Sequence, residues 1–198
     1  MRQYYHLATV FLALFLSSCS TFQAPSALHH LTRHKRSAEL SALNNWQAQG
    51  SLSIHYAQET NIASFDWQQT NNNYTINLSG PLSLAHFLIS GNDHQVTLQK
   101  SNTEIFTAPT PEKLLQTQVG WNLPITNLIY WIKGMTAPQL LYKAQFDVNN
   151  HLARLKQQGW TIFYRDFESV NGIDLPTKLY LQNNQLKIKI VIKSWQVY

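Results

Sequence analysis

The chain has 198 residues and a formal net charge of +5, and only 13% of its residues are charged, against about 25% in a typical soluble domain. A net positive charge this small excludes a charge-driven nucleic-acid-binding role. The length suits one domain with a substantial core. A single cysteine is present, so no intrachain disulfide can form.

The first residues have the layout of a secretory signal rather than of a membrane-spanning helix. Arg2 and a short polar start precede an apolar stretch of about ten residues, whereas a spanning helix needs about 20. The stretch ends at Leu16-Ser17-Ser18-Cys19, which resembles the lipobox of bacterial lipoproteins, where the cysteine is acylated and becomes the new N-terminus. We predict that residues 1–18 are removed, that Cys19 carries lipid, and that residues 19–27 form a lipidated tether. An ordinary signal peptide with Cys19 incidental is the alternative.

Residues 28–44 contain neither proline nor glycine, which favours a helix. The apolar positions of this amphipathic helix are Leu28, Leu31, Leu40 and Leu43. We interpret the basic residues Arg33, Lys35 and Arg36 as a solvated helix face, with contact to anionic headgroups as the alternative. The one-turn spacing of His30 and His34 can hold a metal, but no acidic or cysteine partner is nearby, so we expect surface histidines.

Beyond Asn44 the hydrophobic period changes from helical to alternating, which predicts half-buried antiparallel strands separated by Asn/Gly turns. The alternating segments are Trp46–Tyr56, Ala63–Trp67, Tyr74–Leu78, Val96–Leu98, Tyr142–Asp147, Leu152–Lys156, Trp160–Tyr164, Leu179–Leu181 and Leu186–Ile192. The last strand has the clearest pattern, because Lys187, Lys189 and Lys193 alternate with its aliphatic residues. One face of the predicted sheet is therefore solvated.

Two helices are predicted to interrupt the sheet between Thr110 and Gly134. The first begins with Pro111 and Glu112 in its first turn, and the second, from Leu123 to a C-cap at Gly134, is apolar nearly all round. Such a helix must pack against the sheet or fill a cavity. A count of about ten or eleven strands is too many for a flat sheet. We predict a mainly β fold over residues 28–198: a curled, incompletely closed antiparallel β-barrel with helices covering an apolar cavity.

No catalytic motif is present, since the sequence lacks a nucleophile with a base, paired carboxylates, metal-ligand spacing and a glycine-rich phosphate loop. We predict a non-enzymatic protein without cofactor or metal, and an envelope hydrolase is the minority alternative. Apolar residues on the inner face could bind acyl chains by burying apolar area. These candidate cavity residues are Trp46, Leu52, Phe65, Trp67, Ile76, Phe87, Ile89, Trp131, Ile162 and Ile188. Periodicity alone does not distinguish an acyl-chain cavity from a dry, packed core.

Several short segments between about Leu43 and Trp195 carry a family resemblance through their order and spacing. They are Phe65-Asp66-Trp67-Gln68-Gln69, Gly80-Pro81-Leu82, Leu123-Pro124-Ile125, Trp131-Ile132-Lys133-Gly134, Leu175-Pro176-Thr177-Lys178-Leu179 and Leu186-Lys187-Ile188-Lys189. Behind a lipobox, they resemble the outer-membrane lipoprotein receptor LolB. The resemblance implies an unclosed barrel that accepts lipoproteins from the soluble carrier LolA and inserts them into the inner leaflet of the outer membrane.

The resemblance also implies partners, location and a loop. Expected partners are a LolA-type periplasmic carrier, acylated lipoprotein cargo and outer-membrane lipid, with no nucleic acid, and the protein is expected to be a monomer. It would be anchored to the inner leaflet of the outer membrane and face the periplasm, in line with Ser20 rather than aspartate after Cys19.

Leu82, with Pro81 and Leu84, resembles the family's protruding apolar loop, which would touch the membrane. The alternative is that Leu82 folds back onto the sheet edge. Ser64 stands where the family has an arginine, which leaves a contact to the cargo headgroup open. A structural or assembly lipoprotein of the outer membrane, without a lipid cavity, is the alternative function.

Overall fold

The computed structural model describes residues 28–80, 86–100 and 103–198. The predicted lipidation site Cys19 and the predicted loop residues Pro81, Leu82 and Leu84 lie outside these ranges.

The described residues form eleven strands and three helices. The strands are β1 Asn45–Tyr56, β2 Glu59–Thr70, β3 Asn73–Ser79, β4 His86–Gly91, β5 Val96–Gln99, β6 Ile105–Ala108, β7 Tyr142–Phe146, β8 Leu152–Gln157, β9 Trp160–Val170, β10 Ile173–Gln182 and β11 Leu186–Val197. The helices are α1 Arg33–Ala42, α2 Pro111–Val119 and α3 Ile125–Trp131.

All eleven strands belong to one antiparallel sheet, in the order β6-β5-β4-β3-β2-β1-β11-β10-β9-β8-β7. Neighbours in the sheet are neighbours in the chain except at the centre, where the first strand pairs with the last from Trp46 opposite Val197 to Tyr56 opposite Leu186. Strands β6 and β7 are the two edges, and they do not pair with each other. The prediction of an incompletely closed barrel of ten or eleven strands is therefore confirmed.

Because every pair of neighbours is antiparallel, the connections alternate between two ends of the sheet. We call the end that carries residues 57–58, Gly80, residues 158–159 and residues 183–185 the loop end. The opposite end, which carries residues 71–72, 92–95, 147–151 and 171–172, is called the asparagine end. Asn71, Asn150 and Asn171 adopt positive φ values at the asparagine end, which asparagine tolerates better than most residues.

The inner face of the sheet is apolar because side chains alternate between its two faces. On β11 the predicted pattern is confirmed. Ile188, Ile190 and Ile192 are buried, whereas Lys187, Lys189 and Lys193 are exposed. A bulge between Gln49 and Gly50 bends β1 against β11. A Cβ atom on Gly50 would lie 2.0 Å from the carbonyl oxygen of Val191, so the close approach of these strands requires glycine.

The N-terminal helix is shorter than predicted. It begins at Arg33 instead of residue 28, because the Thr32 hydroxyl accepts a hydrogen bond from the backbone N–H of Lys35 and forms its N-cap. Helix α2 starts at Pro111 behind the N-cap Thr110, as the sequence predicts. Helix α3 ends at Trp131, before Gly134, which takes a positive φ in the following turn.

A buried charge cluster fixes α1 to the sheet at the asparagine end. The Asp174 carboxylate lies 3.2 Å from Arg36 Nη1 and 2.9 Å from His151 Nε2, and it accepts a hydrogen bond from the backbone N–H of His29. The other ring nitrogen of His151 lies 2.9 Å from Asp147. The interpretation of Arg36 as part of a solvated face is therefore wrong, because a carboxylate from a distant strand draws its side chain into the interior.

Candidate functional site

An apolar cavity of about 510 Å³ lies between the inner face of β1–β5 and helix α2. A pocket of about 60 Å³ continues it beneath α3, and the two share residues from β1, β3, β4 and α2. Together they are lined by Leu52, Ile54, Asn61, Ile62, Ala63, Phe65, Trp67, Ile76, Leu78, Gly80, Phe87, Ile89, Leu98, Leu115, Val119, Trp121, Leu123, Ile125, Leu128, Ile132 and Ile190.

The lining has almost no polar chemistry. Asn61 is the one polar side chain among the described lining residues, and none of them is titratable. A site of this composition offers no nucleophile, general base or metal ligand, and it binds a ligand by burying apolar surface, at about 25 cal/mol per Å². The arrangement suits acyl chains and does not suit a charged substrate.

The cavity opens at the loop end of the sheet. Its lining there includes Asn61, Ile62 and Ala63 near the start of β2, with Gly80 and Phe87 on either side of the β3–β4 connection. The described chain leaves the sheet after Ser79, the last residue of β3, and re-enters it at His86, the first residue of β4. The segment with the predicted loop residues is thus attached at the rim of the cavity.

Helices α2 and α3 cover the cavity because their apolar sides face the sheet. Leu115 on α2 and Ile125 and Leu128 on α3 are buried and belong to the lining. The two helices are joined by a hydrogen bond from the backbone N–H of Thr126 to Glu112 Oε1, at 2.9 Å. This contact holds the cover together at its exposed side.

Two buried polar groups hold the C-terminal end of α3. Lys133 Nζ donates to the carbonyl oxygens of Leu40 and Leu43 at 3.1 and 2.9 Å, and burial lowers the pKa of Lys133 to about 8. The Tyr164 hydroxyl donates to the carbonyl oxygen of Trp131 at 2.9 Å, and burial raises the pKa of this hydroxyl above its usual range. The cover is therefore tied both to α1 and to the sheet.

Six of the ten predicted cavity residues line the cavity: Leu52, Phe65, Trp67, Ile76, Phe87 and Ile89. The other four, Trp46, Trp131, Ile162 and Ile188, are buried but lie outside its lining. Trp46 packs at 5.4 Å ring-centroid distance from Trp67 and from Trp195 near the asparagine end. Trp131 donates its indole N–H to Gln157 Oε1 and packs against Trp160.

Trp46 and Trp131 fall outside the lining because other tryptophans pack against them. Ile162 and Ile188 lie in the filled half of the inner face, over β8–β10 and the start of β11, whereas the half over β1–β5 is open, with Ile190 of β11 at its border. Alternation identifies an inward-facing side chain but does not show whether another side chain occupies the space in front of it. Ile162 is fully buried in the filled half, and Leu52 is half-buried in the open half. The alternation that marked Leu52 and Ile76 also covered Ile54 and Leu78, which the prediction omitted although they line the cavity.

Ser64 lies on the outer face of β2. Its neighbours Ala63 and Phe65 line the cavity, whereas Ser64 is exposed and borders a surface depression with Gln49 and Lys193. This position therefore does not contact the cavity. In the described ranges, no three His, Cys, Asp or Glu side chains come together as a metal site, and no helix is long and apolar enough to cross a membrane.

The fold and site define a class of protein: an unclosed antiparallel barrel whose helices cover an apolar cavity. Residues 44–195 match the family model described as "Outer membrane lipoprotein LolB". The outer-membrane lipoprotein LolB of Coxiella burnetii (strain RSA 493 / Nine Mile phase I) is 41% identical over 99% of this chain and 95% of its own length. That of Ectopseudomonas mendocina (strain ymp) is 34% identical over 96% of both chains. The chain belongs to the LolB family.

A solved structure supports the fold independently of sequence. A LolA superfamily protein from Nitrosomonas europaea superposes with a TM-score of 0.56 at 10% identity, over 87% of this chain and 94% of that one. The predicted family and fold class are thus confirmed, as is the prediction of a lipoprotein-trafficking receptor rather than an enzyme.

Proposed function

We propose that the protein takes the acyl chains of lipoproteins from a LolA-type periplasmic carrier into its apolar cavity and delivers them to the inner leaflet of the outer membrane. The observation that carries the proposal is a cavity of about 510 Å³ whose described lining residues include a single polar side chain, in a chain of the LolB family.

The proposed transfer needs no nucleotide. Each methylene that leaves one apolar pocket and enters another keeps the roughly 0.8 kcal/mol that it would lose in water. A modest difference in affinity between two such cavities is therefore sufficient to set the direction. The six predicted residues in the lining, together with Leu78, Leu115 and Trp121, would contact the acyl chains.

The anchor belongs to the same proposal. Residues 1–18 would be removed and Cys19 acylated, with residues 19–27 as the tether and residues 28–198 as the lipoprotein-binding domain. Multiple acyl chains on one cysteine satisfy the requirement for two attachments in stable anchoring. We propose a monomer that is held on the inner leaflet and faces the periplasm. The lipobox residues Leu16–Cys19 and the names of the relatives support this location.

The loop residues Pro81, Leu82 and Leu84 are proposed to touch the membrane during delivery. Their segment begins and ends at the rim of the cavity, at Gly80 and His86, and Gly80 itself lines the opening. An apolar side chain at this position would lead a departing acyl chain directly into lipid. Trp46, Trp131, Ile162 and Ile188 are proposed to support the cavity from the packed core instead of contacting cargo.

The test is binding of a fluorescent fatty-acyl probe to protein that lacks residues 1–19, with Ala63→Trp as the blocking variant. Ala63 lies at the opening, so an indole there that displaces two methylenes should cost about 1.6 kcal/mol, which weakens binding more than about tenfold. Ser64→Trp is the matched control, since Ser64 is next to Ala63 in the chain but its own side chain points to the outer face of the sheet.

Saturable binding that Ala63→Trp weakens and Ser64→Trp leaves unchanged is the expected result. Absence of saturable binding would favour the alternative of a structural lipoprotein without a lipid cavity. Equal losses in both variants would place the probe elsewhere on the protein. Far-UV circular dichroism and a cooperative unfolding transition would verify that both variants fold.

A further inference from the structure

Two exposed apolar residues stand at the loop end of the two sheet edges. Ile105 is the first residue of β6 and is 59% exposed, and Leu141 immediately precedes β7 and is 97% exposed. Tyr142, the first residue of β7, is 54% exposed. The edges of the unclosed barrel thus present apolar side chains at the same end as the cavity opening and the β3–β4 connection.

Two lysines beside Leu141 face each other across the β7–β8 pair. Lys143 lies directly opposite Lys156, both are exposed, and neither forms an ion pair within the part of the chain that the structure describes. Like charges in directly opposed positions of a sheet destabilise the pairing. An anionic partner in front of the two lysines would remove this repulsion.

We propose that Ile105, Leu141, Tyr142, Lys143 and Lys156, here called the rim patch, form a second contact with the membrane, against anionic phospholipid headgroups. Isolated apolar side chains with tyrosine and lysine neighbours suit an interfacial contact. A stable protein interface would instead require a central, well-packed cluster. The inference rests on the proposed function, because it adds a contact to the delivery step.

The length of the tether permits this orientation. His29 is held at the asparagine end by Asp174, and nine residues lie between it and Cys19, so the ten Cα–Cα steps span at most about 33 to 36 Å. Strand β1 has twelve residues and is therefore about 40 Å long, or about 30 Å in height at the usual tilt of barrel strands. An anchored Cys19 can thus lie at the leaflet that the loop end touches, if the tether runs along the sheet.

Val148 provides a matched control at the other end of the same strand. It follows β7 at the asparagine end and is 85% exposed, so it resembles Leu141 in size, polarity and accessibility. Since Cys19 is the only cysteine and is acylated in the anchored protein, Leu141→Cys and Val148→Cys each introduce one free thiol into the full chain.

The experiment labels each variant with an environment-sensitive fluorophore and reconstitutes the full-length acylated protein into vesicles of phosphatidylethanolamine with phosphatidylglycerol. We expect doxyl-labelled lipid to quench the label at position 141 at least about twofold more than the label at position 148, with aqueous iodide showing the reverse order. Replacing phosphatidylglycerol by phosphatidylcholine, or Lys143→Glu, should reduce the quenching at position 141.

Equal quenching at both positions, or stronger quenching at position 148, would overturn the proposal. Protection of position 141 by a soluble LolA-type carrier without vesicles, and not by vesicles, would also overturn it and identify a protein contact. Fatty-acyl probe binding to the unlabelled protein is measured in parallel. Normal probe binding with no lipid contact at position 141 would refute only the proposed membrane contact of the rim patch. Loss of probe binding would refute the proposed function.

Discussion

Replacing Asp174 by asparagine should destabilise the protein strongly, because it removes the negative charge from the buried cluster that holds α1. Asp174 is 1% exposed, and its carboxylate contacts the Arg36 guanidinium, the His151 ring and the backbone N–H of His29. Asparagine keeps the shape of the side chain but leaves Arg36, which is 5% exposed, as a buried charge without its counter-ion.

The expected loss is about 3 to 5 kcal/mol of unfolding free energy, the usual cost of removing one partner from a buried ion pair. For a domain of this size the melting temperature should fall by roughly 10 °C. Burial alone would raise the pKa of Asp174, but the hydrogen bonds from His151 and His29 and the charge of Arg36 outweigh burial and lower it. The ionised form is therefore the one that the fold stabilises.

The assay is urea unfolding of wild type and Asp174→Asn at pH 7 and at lower pH values. Because the pKa of Asp174 is lower in the folded than in the unfolded protein, its stabilisation is present above pH 3.8 and disappears as the pH falls through the folded value. The difference between wild type and variant should shrink accordingly. Asp166→Asn is the control, since it breaks the exposed ion pair with Lys178 and should change stability little.

A loss in Asp174→Asn no larger than that in Asp166→Asn would refute this reasoning. So would a difference from wild type that stays constant from pH 7 into the acid range. Either result would mean that packing of α1 on the sheet, and not the charge cluster, holds the helix in place.

Two further predictions concern the cover and the loop. Because burial lowers the pKa of Lys133 to about 8, the unfolded chain binds more protons above that pH, and stability should rise by about 2 kcal/mol between pH 8 and pH 10. Urea unfolding of Lys133→Met should lack this rise, and a rise that persists in the variant would contradict it. Leu82→Glu should leave folding and acyl-probe binding nearly intact but weaken delivery into liposomes, and unchanged delivery would remove the loop from the mechanism.

Local patterns in the sequence were sufficient to predict most of the secondary-structure elements and the fold class. Alternation identified most of the strands, because a two-residue period depends only on which face each side chain takes. The helix pair between Thr110 and Gly134 was likewise predicted from proline, capping residues and an apolar run. The lipobox-like run and the family resemblance indicated the function, and the family match confirms the assignment.

The location of the cavity was decided only by the tertiary structure. Ile76 and Ile162 look alike in sequence, as isoleucines on alternating strands, yet the first lines the cavity and the second is in the filled core. What separates them is the position of α2 and α3, which cover β1–β5 without filling the space before them. No local pattern records how far a helix stands from a sheet.

The burial of Arg36 has the same origin. In the sequence it belongs to a basic, polar stretch of a helix, and its interpretation as a solvated residue followed from its neighbours. Only the folded chain brings Asp174 and His151 to that helix from β10 and from the turn before β8. The sequence by itself determined most of the strands, the helices and the family. Tertiary packing decided which apolar residues face empty space and which charges are buried, because both depend on contacts between distant segments.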